Sequence, residues 1–195
     1  FSGQFKGNGH TISDLTVSGE YSPAGLFGIV EEKGSIESLS VRGVVSVSDT
    51  KDTTTGGIVG INHGTLISCQ FTGVVTGDSE VGGIVGRNES EGTIDHSTAR
   101  AIVTGKSSTG GIAGYNLGAI TGCTNVGSIN TEYPEASLDT DGFTAKMVDY
   151  INNKMATADD DATNSVTNVA TDTGGIAGRS SGMILTSVNT GTIGY

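Results

Sequence analysis

One short phrase is written five times along this chain: AGLFG at 24–28, GGIVG at 56–60 and 82–86, GGIAG at 110–114 and 174–178. A phrase that returns at a fixed period marks one structural unit stacked on itself, so the repeat constrains the architecture before any single residue does. The agreement extends past the phrase. A glycine follows at Gly34, Gly64, Gly92, Gly118 and Gly182, then an aliphatic at Ile36, Leu66, Ile94, Ile120 and Ile184. Further columns are Leu39, Cys69, Ser97, Cys123, Ser187; then Gly43, Gly73, Ala101, Gly127, Gly191; then Val45, Val75, Val103, Ile129, Ile193. Residues 10–19 fit the same frame, with Ile12 and Leu15 in phase.

The motif glycines Gly25, Gly57, Gly83 and Gly111 set a unit of about 26–32 residues with three short apolar segments, each bounded by glycine. Brief segments rich in Val, Ile and Thr read as strands rather than helices. Strands that recur at one period and touch only the neighbouring unit build a solenoid. The expectation is therefore an all-β, right-handed parallel β-helix with three-strand coils and about 5–6 rungs, the hand following from the rule for parallel crossovers. Glycines at the corners are expected to supply positive φ. A β-propeller, the rival, needs blades of about 40 residues and is excluded by the shorter period. The whole chain, 1–195, is expected to form a single solenoid domain, with rungs in 1–130 and 174–195.

Composition fits a thin stack: 32 glycines against two prolines, and 34% hydrophobic residues, enough for one narrow column of core. The formal charge of −11 argues against nucleic acid, whose phosphates need a basic surface. No apolar run approaches the roughly 18 residues of a membrane span, so no direct membrane insertion is expected. The chain opens in mid-pattern without a methionine or a leader, and is expected to be a piece of a longer protein with any signal or anchor outside it.

The period breaks once. The step from the last aliphatic column to the next motif glycine runs from Val75 to Gly83 and from Val103 to Gly111, but from Ile129 to Gly175. The excess, 131–173, is expected to be an acidic insertion: nine acids against Lys146 and Lys154 leave it −7 of the −11. Within it Phe143, Met147, Ile151 and Met155 recur at helical spacing beside Val148, with Thr140 or Asp141 to cap the start. A helix is expected near 142–156, its stripe laid on the solenoid flank, or else used to bind a partner.

Candidate chemistry is sparse. His10, His63 and His96 fall at different places in the repeat and make no zinc-binding set. Neither Asp159–Asp160–Asp161 nor Asp139 and Asp141 with Gly142 completes a calcium loop. No metal, cofactor or catalytic residue is expected. Cys69 and Cys123 share a column two coils apart, with Ser97 between, too far for a disulfide, so both are expected buried and free. Asn62, Asn88 and Asn116 share a position, closed by Ser180, which favours a stacked asparagine ladder. One residue earlier stand Ile61, Arg87, Tyr115 and Arg179, where a guanidinium on a neighbouring coil can stack on the ring. That outward stripe, with the Asp159–Asp160–Asp161 run, is the candidate interaction surface. Thr76 and Thr104 align, but Ser48 and Asn130 interrupt any flat ice-binding array.

GLFG at 25–28 with its GIVG and GIAG variants resembles the GLUG repeat, whose third letter stands for a variable apolar residue. FSGQFKGNGHTISDLTV at the start resembles the segment preceding such repeats in bacterial surface proteins, and GFTAKMVDYINN is similar to a helical segment found beside them. The family includes large cell-wall-attached or secreted chains, adhesin-like proteins and the non-catalytic part of certain immunoglobulin-cleaving metallopeptidases. The resemblance implies an extracellular, non-catalytic stalk or adhesive module on a bacterial surface, whose partner is a host or cell-surface glycan or protein. The alternative is a carbohydrate-binding or polysaccharide-cleaving β-helix, since that fold also serves such enzymes. No zinc motif is present, so no protease residues carry over.

Overall fold

The computed structural model describes residues 1–47, 53–131 and 172–194. Residues 132–171 of the expected insertion, with its helix near 142–156 and Asp159, Asp160 and Asp161, lie outside the described residues, whereas Thr173 already belongs to a strand. The described chain is an all-β parallel solenoid. Every strand pair is parallel and joins one coil to the next.

The coil has four sides. In chain order, sheet I collects Thr54–Gly56, Glu80–Gly82, Thr109–Gly110 and Thr173–Gly174. Sheet II collects Phe27–Val30, Val59–Asn62, Val85–Asn88, Ala113–Asn116 and Ala177–Ser180. Sheet III holds Gln4–Lys6, Ser35–Glu37, Thr65–Ile67, Thr93–Asp95, Ala119–Thr121 and Met183–Leu185. Sheet IV is the broad one: Thr11–Gly19, Ser40–Val47, Gln70–Thr76, Thr98–Thr104, then Thr124–Asn125 with Ser128–Ile129, and Val188–Asn189. Sheet I has four strands, so about four turns are complete, fewer than the 5–6 rungs expected.

The expected three-strand coil is corrected to four because the repeated phrase is not one strand. It bends in its middle: Gly56 ends sheet I and Val59 begins sheet II. A Cβ on Gly56, Gly82, Gly110 or Gly174 would run into the carbonyl oxygen of Val59, Val85, Ala113 or Ala177, three residues on. The two short strands fold against each other so closely that only hydrogen fits. The second glycine faces the core, where a Cβ on Gly57 would strike the Phe71 ring 2.5 Å away. Phe71 is fully buried in that space.

A second correction concerns positive φ. Where sheet III turns into sheet IV, each coil places one residue in the left-handed region: Asn8, Ser38, Ser68, His96, Gly122 and Thr186, at φ between 46° and 61°. Only one of the six is glycine. At Ser38, Ser68, His96 and Gly122 the corner N–H donates to the next coil, as in Ser68 to Asp95 O and His96 to Thr121 O, both 2.9 Å. Short polar side chains tolerate this conformation. The motif glycines serve close approach instead.

The core is a narrow aliphatic column. Ile36, Leu66, Ile94 and Ile120 stack on sheet III and Val45, Val75, Val103 and Ile129 on sheet IV, all fully buried. Each such side chain contributes about 2 kcal/mol by leaving water.

Candidate functional site

The outward stripe is built by register on sheet II. Arg87 pairs with Tyr115 and Tyr115 with Arg179 across adjacent strands. Their guanidinium carbons lie 5.0 and 5.4 Å from the Tyr115 ring centroid, one from each flanking strand, so the ring sits between two cations. The expected Arg87–Tyr115 stacking is present, and Arg179 joins it. Both ring faces are thereby occupied, which leaves no bare aromatic platform for a sugar.

Arg87 is also held from the side. Its Nε donates to Glu89 Oε1 at 2.6 Å and its Nη1 to Glu80 Oε1 at 2.8 Å. Glu80 in turn accepts from Thr54 Oγ1 on the preceding coil at 3.1 Å. Partial burial works against the Arg87 charge, but the bonds and charges of Glu89 and Glu80 outweigh it and hold the group firmly protonated. Arg179, by contrast, is exposed at the other face of the ring.

Inside sheet II the asparagine ladder is continuous. Asn62 Nδ2 donates to Asn88 Oδ1 and Asn88 Nδ2 to Asn116 Oδ1, each at 2.8 Å, and Asn116 Nδ2 donates to Ser180 Oγ at 3.2 Å. All three asparagines are fully buried. Asn62 also closes a local ring, its Nδ2 donating to Gly64 O while Gly64 N–H returns to Oδ1, and Asn88 and Asn116 donate to Gly92 O and Gly118 O.

A second ladder, not anticipated from the sequence, stands on sheet IV. Asn125 Nδ2 donates to Asn189 Oδ1 at 2.7 Å, and Gly127 N–H to Asn125 Oδ1 at 3.1 Å. The signal was present. Asn62-His-Gly, Asn116-Leu-Gly, Asn125-Val-Gly and Asn189-Thr-Gly all share an Asn-x-Gly spelling that marks an inward asparagine bonded to the glycine two residues on.

The cysteine column is a third ladder. Cys69 and Cys123 are free and buried, as expected. Cys69 N–H donates to Ser97 Oγ (3.1 Å), Ser97 N–H to Cys123 Sγ (3.4 Å) and Cys123 N–H to Ser187 Oγ (3.2 Å). Each heteroatom in turn donates to the carbonyl two residues before it: Cys69 to Ile67, Ser97 to Asp95, Cys123 to Thr121, Ser187 to Leu185. Burial pushes both thiols up, Cys123 to about 11. These are hydrogen-bonding thiols, poorly suited to act as nucleophiles.

His96 Nδ1 lies 2.8 Å from Asp95 Oδ2 on an exposed corner. Among the described residues no three His, Cys, Asp or Glu side chains converge, and no helix is long and apolar enough to cross a membrane.

What the coils share is therefore a stacking grammar: glycines that bend the phrase, aliphatics that fill it, amides and hydroxyls that bolt coil to coil. Residues 77–104 match the GLUG motif. The GLUG match covers one coil of the stack, from the turn before sheet I to the last strand residue on sheet IV. Over 100 residues, 51% of this chain, the sequence is 34% identical to halomucin of Haloquadratum walsbyi (strain DSM 16790 / HBSQ001). The matched stretch is 1% of halomucin's own length. No solved structure matches the chain.

Proposed function

We propose that this GLUG-containing solenoid is a non-catalytic structural and adhesive module of an extracellular or cell-wall-attached microbial repeat protein. It spaces or displays a binding region along one rigid face. The observation that carries this reading is where the polar side chains are spent: three internal ladders and a cation–ring–cation brace join coil to coil. Such use favours rigidity over turnover. The GLUG match and the likeness to a much longer chain named as a mucin support a place within an extended repeat protein. The partner is a host or cell-surface glycan or protein, met at several points along the outward face of sheet II.

The purified chain applied to a glycan array and to host-cell protein, with a parallel assay for new reducing ends or unsaturated sugar products, tests the proposal. Binding that weakens at least threefold in Arg179→Ala, with no product formed, is the expected result. Product formation abolished by one substitution would overturn it in favour of a polysaccharide-cleaving β-helix.

A further inference from the structure

The turn from sheet III to sheet IV in the coil of residues 4–19 is built on Asn8-Gly9, the one Asn-Gly pair in the sequence. His10 N–H donates to Gly7 O at 2.8 Å, and φ is 50° at Asn8 and 75° at Gly9. Positive φ at both central residues marks a type I′ turn, the geometry that Asn-Gly suits best. The corners of later coils carry a single left-handed residue instead, as at Ser38, Ser68 and His96.

The same pair carries a reaction. A backbone nitrogen can attack the side-chain carbonyl carbon of the asparagine before it and close a five-membered imide, and glycine hinders that nitrogen least. Asn8 and Gly9 are both exposed, and a Cβ on Gly9 would meet nothing within 4 Å, so there is room for the ring. What opposes closure is the bond from Gly9 N–H to Ser38 O, 2.8 Å long. A nitrogen whose proton is held by a carbonyl of the next coil neither sheds that proton nor turns toward Asn8 Cγ. The buried asparagines are barred twice. The amides of Asn62, Asn88, Asn116 and Asn125 are held in ladders. The residues that follow them, His63, Glu89, Leu117 and Val126, crowd the attacking nitrogen with a side chain.

We infer that Asn8 is a self-modification site whose rate is set by opening of the Gly9–Ser38 bond. Base takes the proton from Gly9 N, the bond from that nitrogen to Asn8 Cγ forms, and the Cγ–Nδ2 bond breaks to release ammonia. Water then opens the imide. Attack at Cγ gives aspartate, whereas attack at the main-chain carbonyl carbon gives isoaspartate, with the chain continuing through Cγ. No oxidant or cofactor takes part. Isoaspartate adds a methylene to the main chain inside the turn. The lengthened turn cannot keep Gly7 N–H on Glu37 O and Gly9 N–H on Ser38 O together, both now at 2.8 Å. The coil of residues 4–19 is thereby loosened from its neighbour, irreversibly, at a pace that local opening of the fold controls. This inference does not depend on the partner or the place of display.

The test ages the full chain at pH 8 in heavy-oxygen water, folded and in guanidinium chloride, and maps its peptides by mass at intervals. Asn8 is expected to convert with uptake of one heavy oxygen, in part to a form that an isoaspartyl methyltransferase labels. Conversion should run at least about tenfold faster in denaturant than in the folded chain. Asn8→Ser, which puts the residue of the Ser38 and Ser68 corners at this place, should give no product. In the converted chain, amide exchange over 4–19 should quicken at least about threefold while exchange over 93–121 stays as in the fresh chain. No conversion in denaturant overturns the site. Equal rates with and without denaturant overturn control by the Ser38 bond. Conversion of Asn62, Asn88 or Asn116 in the folded chain as fast as Asn8 overturns its selectivity, and unchanged exchange over 4–19 overturns the loosening.

Discussion

Asn88 donates its side-chain amide to Asn116 at 2.8 Å and receives one from Asn62 at the same distance, on an axis closed to water. The middle member therefore has more to lose than an end member. Asn88→Leu takes from Asn62 Nδ2 its ladder acceptor, leaving it Gly64 O nearby, and takes from Asn116 Oδ1 its donor; it is expected to cost about 3 kcal/mol in denaturant unfolding. Ser180→Ala, at the exposed end of the ladder, is expected to cost under about 1 kcal/mol. Equal costs would show that the ladder is not the cause.

In the cysteine column serine and cysteine do the same work, since Ser97 and Ser187 accept and donate as the cysteines do. Cys123→Ser should cost less than about 1 kcal/mol. Cys123→Val, close in size, takes the acceptor from Ser97 N–H and should cost about 2 kcal/mol. Urea titrations of the two variants check the order.

The same thiol gives a pH signature. An unfolded cysteine ionises near its ordinary value of 9.0, while the folded Cys123 holds its proton to about 11. Between those values the unfolded chain sheds the proton first. The stability contributed by the buried thiol is full below pH 9 and declines as pH rises toward 11, by about 2–3 kcal/mol. In Cys123→Ser that share of the decline should be absent, as read from unfolding free energies at pH 8 and pH 10.5.

Gly82 and Gly9 separate the two uses of glycine. A Cβ on Gly82 meets Val85 O and, at 2.8 Å, Gly114 N, both backbone atoms that cannot step aside. Gly82→Ala is expected to cost about 3 kcal/mol or more. Gly9 has open space around it and a φ of +75°, so Gly9→Ala should cost only about 1 kcal/mol. Thermal melts rank the two.

Thr186 holds the left-handed corner at φ 48° with a branched side chain, where Asn8 stands in the first coil. Thr186→Asn should stabilise the chain by about 1 kcal/mol. A neutral or negative result in the same melts would mean that the branched side chain is not strained at that corner.

Much of the register was legible because it is carried by side-chain identity. The alignment that placed Arg87, Tyr115 and Arg179 in one column, and Cys69 and Cys123 two coils apart, holds in the strand pairing. What sequence did not disclose is where a strand ends inside an apolar phrase. GGIVG reads as one segment because hydropathy does not report the contact between Gly56 and the Val59 carbonyl, which is made only after the chain bends. The left-handed corners hid for a related reason: Ser68 and His96 are ordinary residues, and the turn between two sheets that sets their φ leaves no mark in hydropathy. Asn125 and Asn189 are hard to read because Ile12, Val41, Phe71 and Ala99 begin their column as apolar, and the switch to amide comes only in the later coils.

The parallel pairing also sets a mechanical exchange rate. Each coil occupies about 4.8 Å of the axis, the spacing of neighbouring strands, yet stores about 26 residues of chain. A coil pulled loose under tension pays out roughly 80–90 Å of extended chain while shortening the rod by about 5 Å. A tethered array of such coils yields in steps under load. Every ladder bond described above resists the first of those steps.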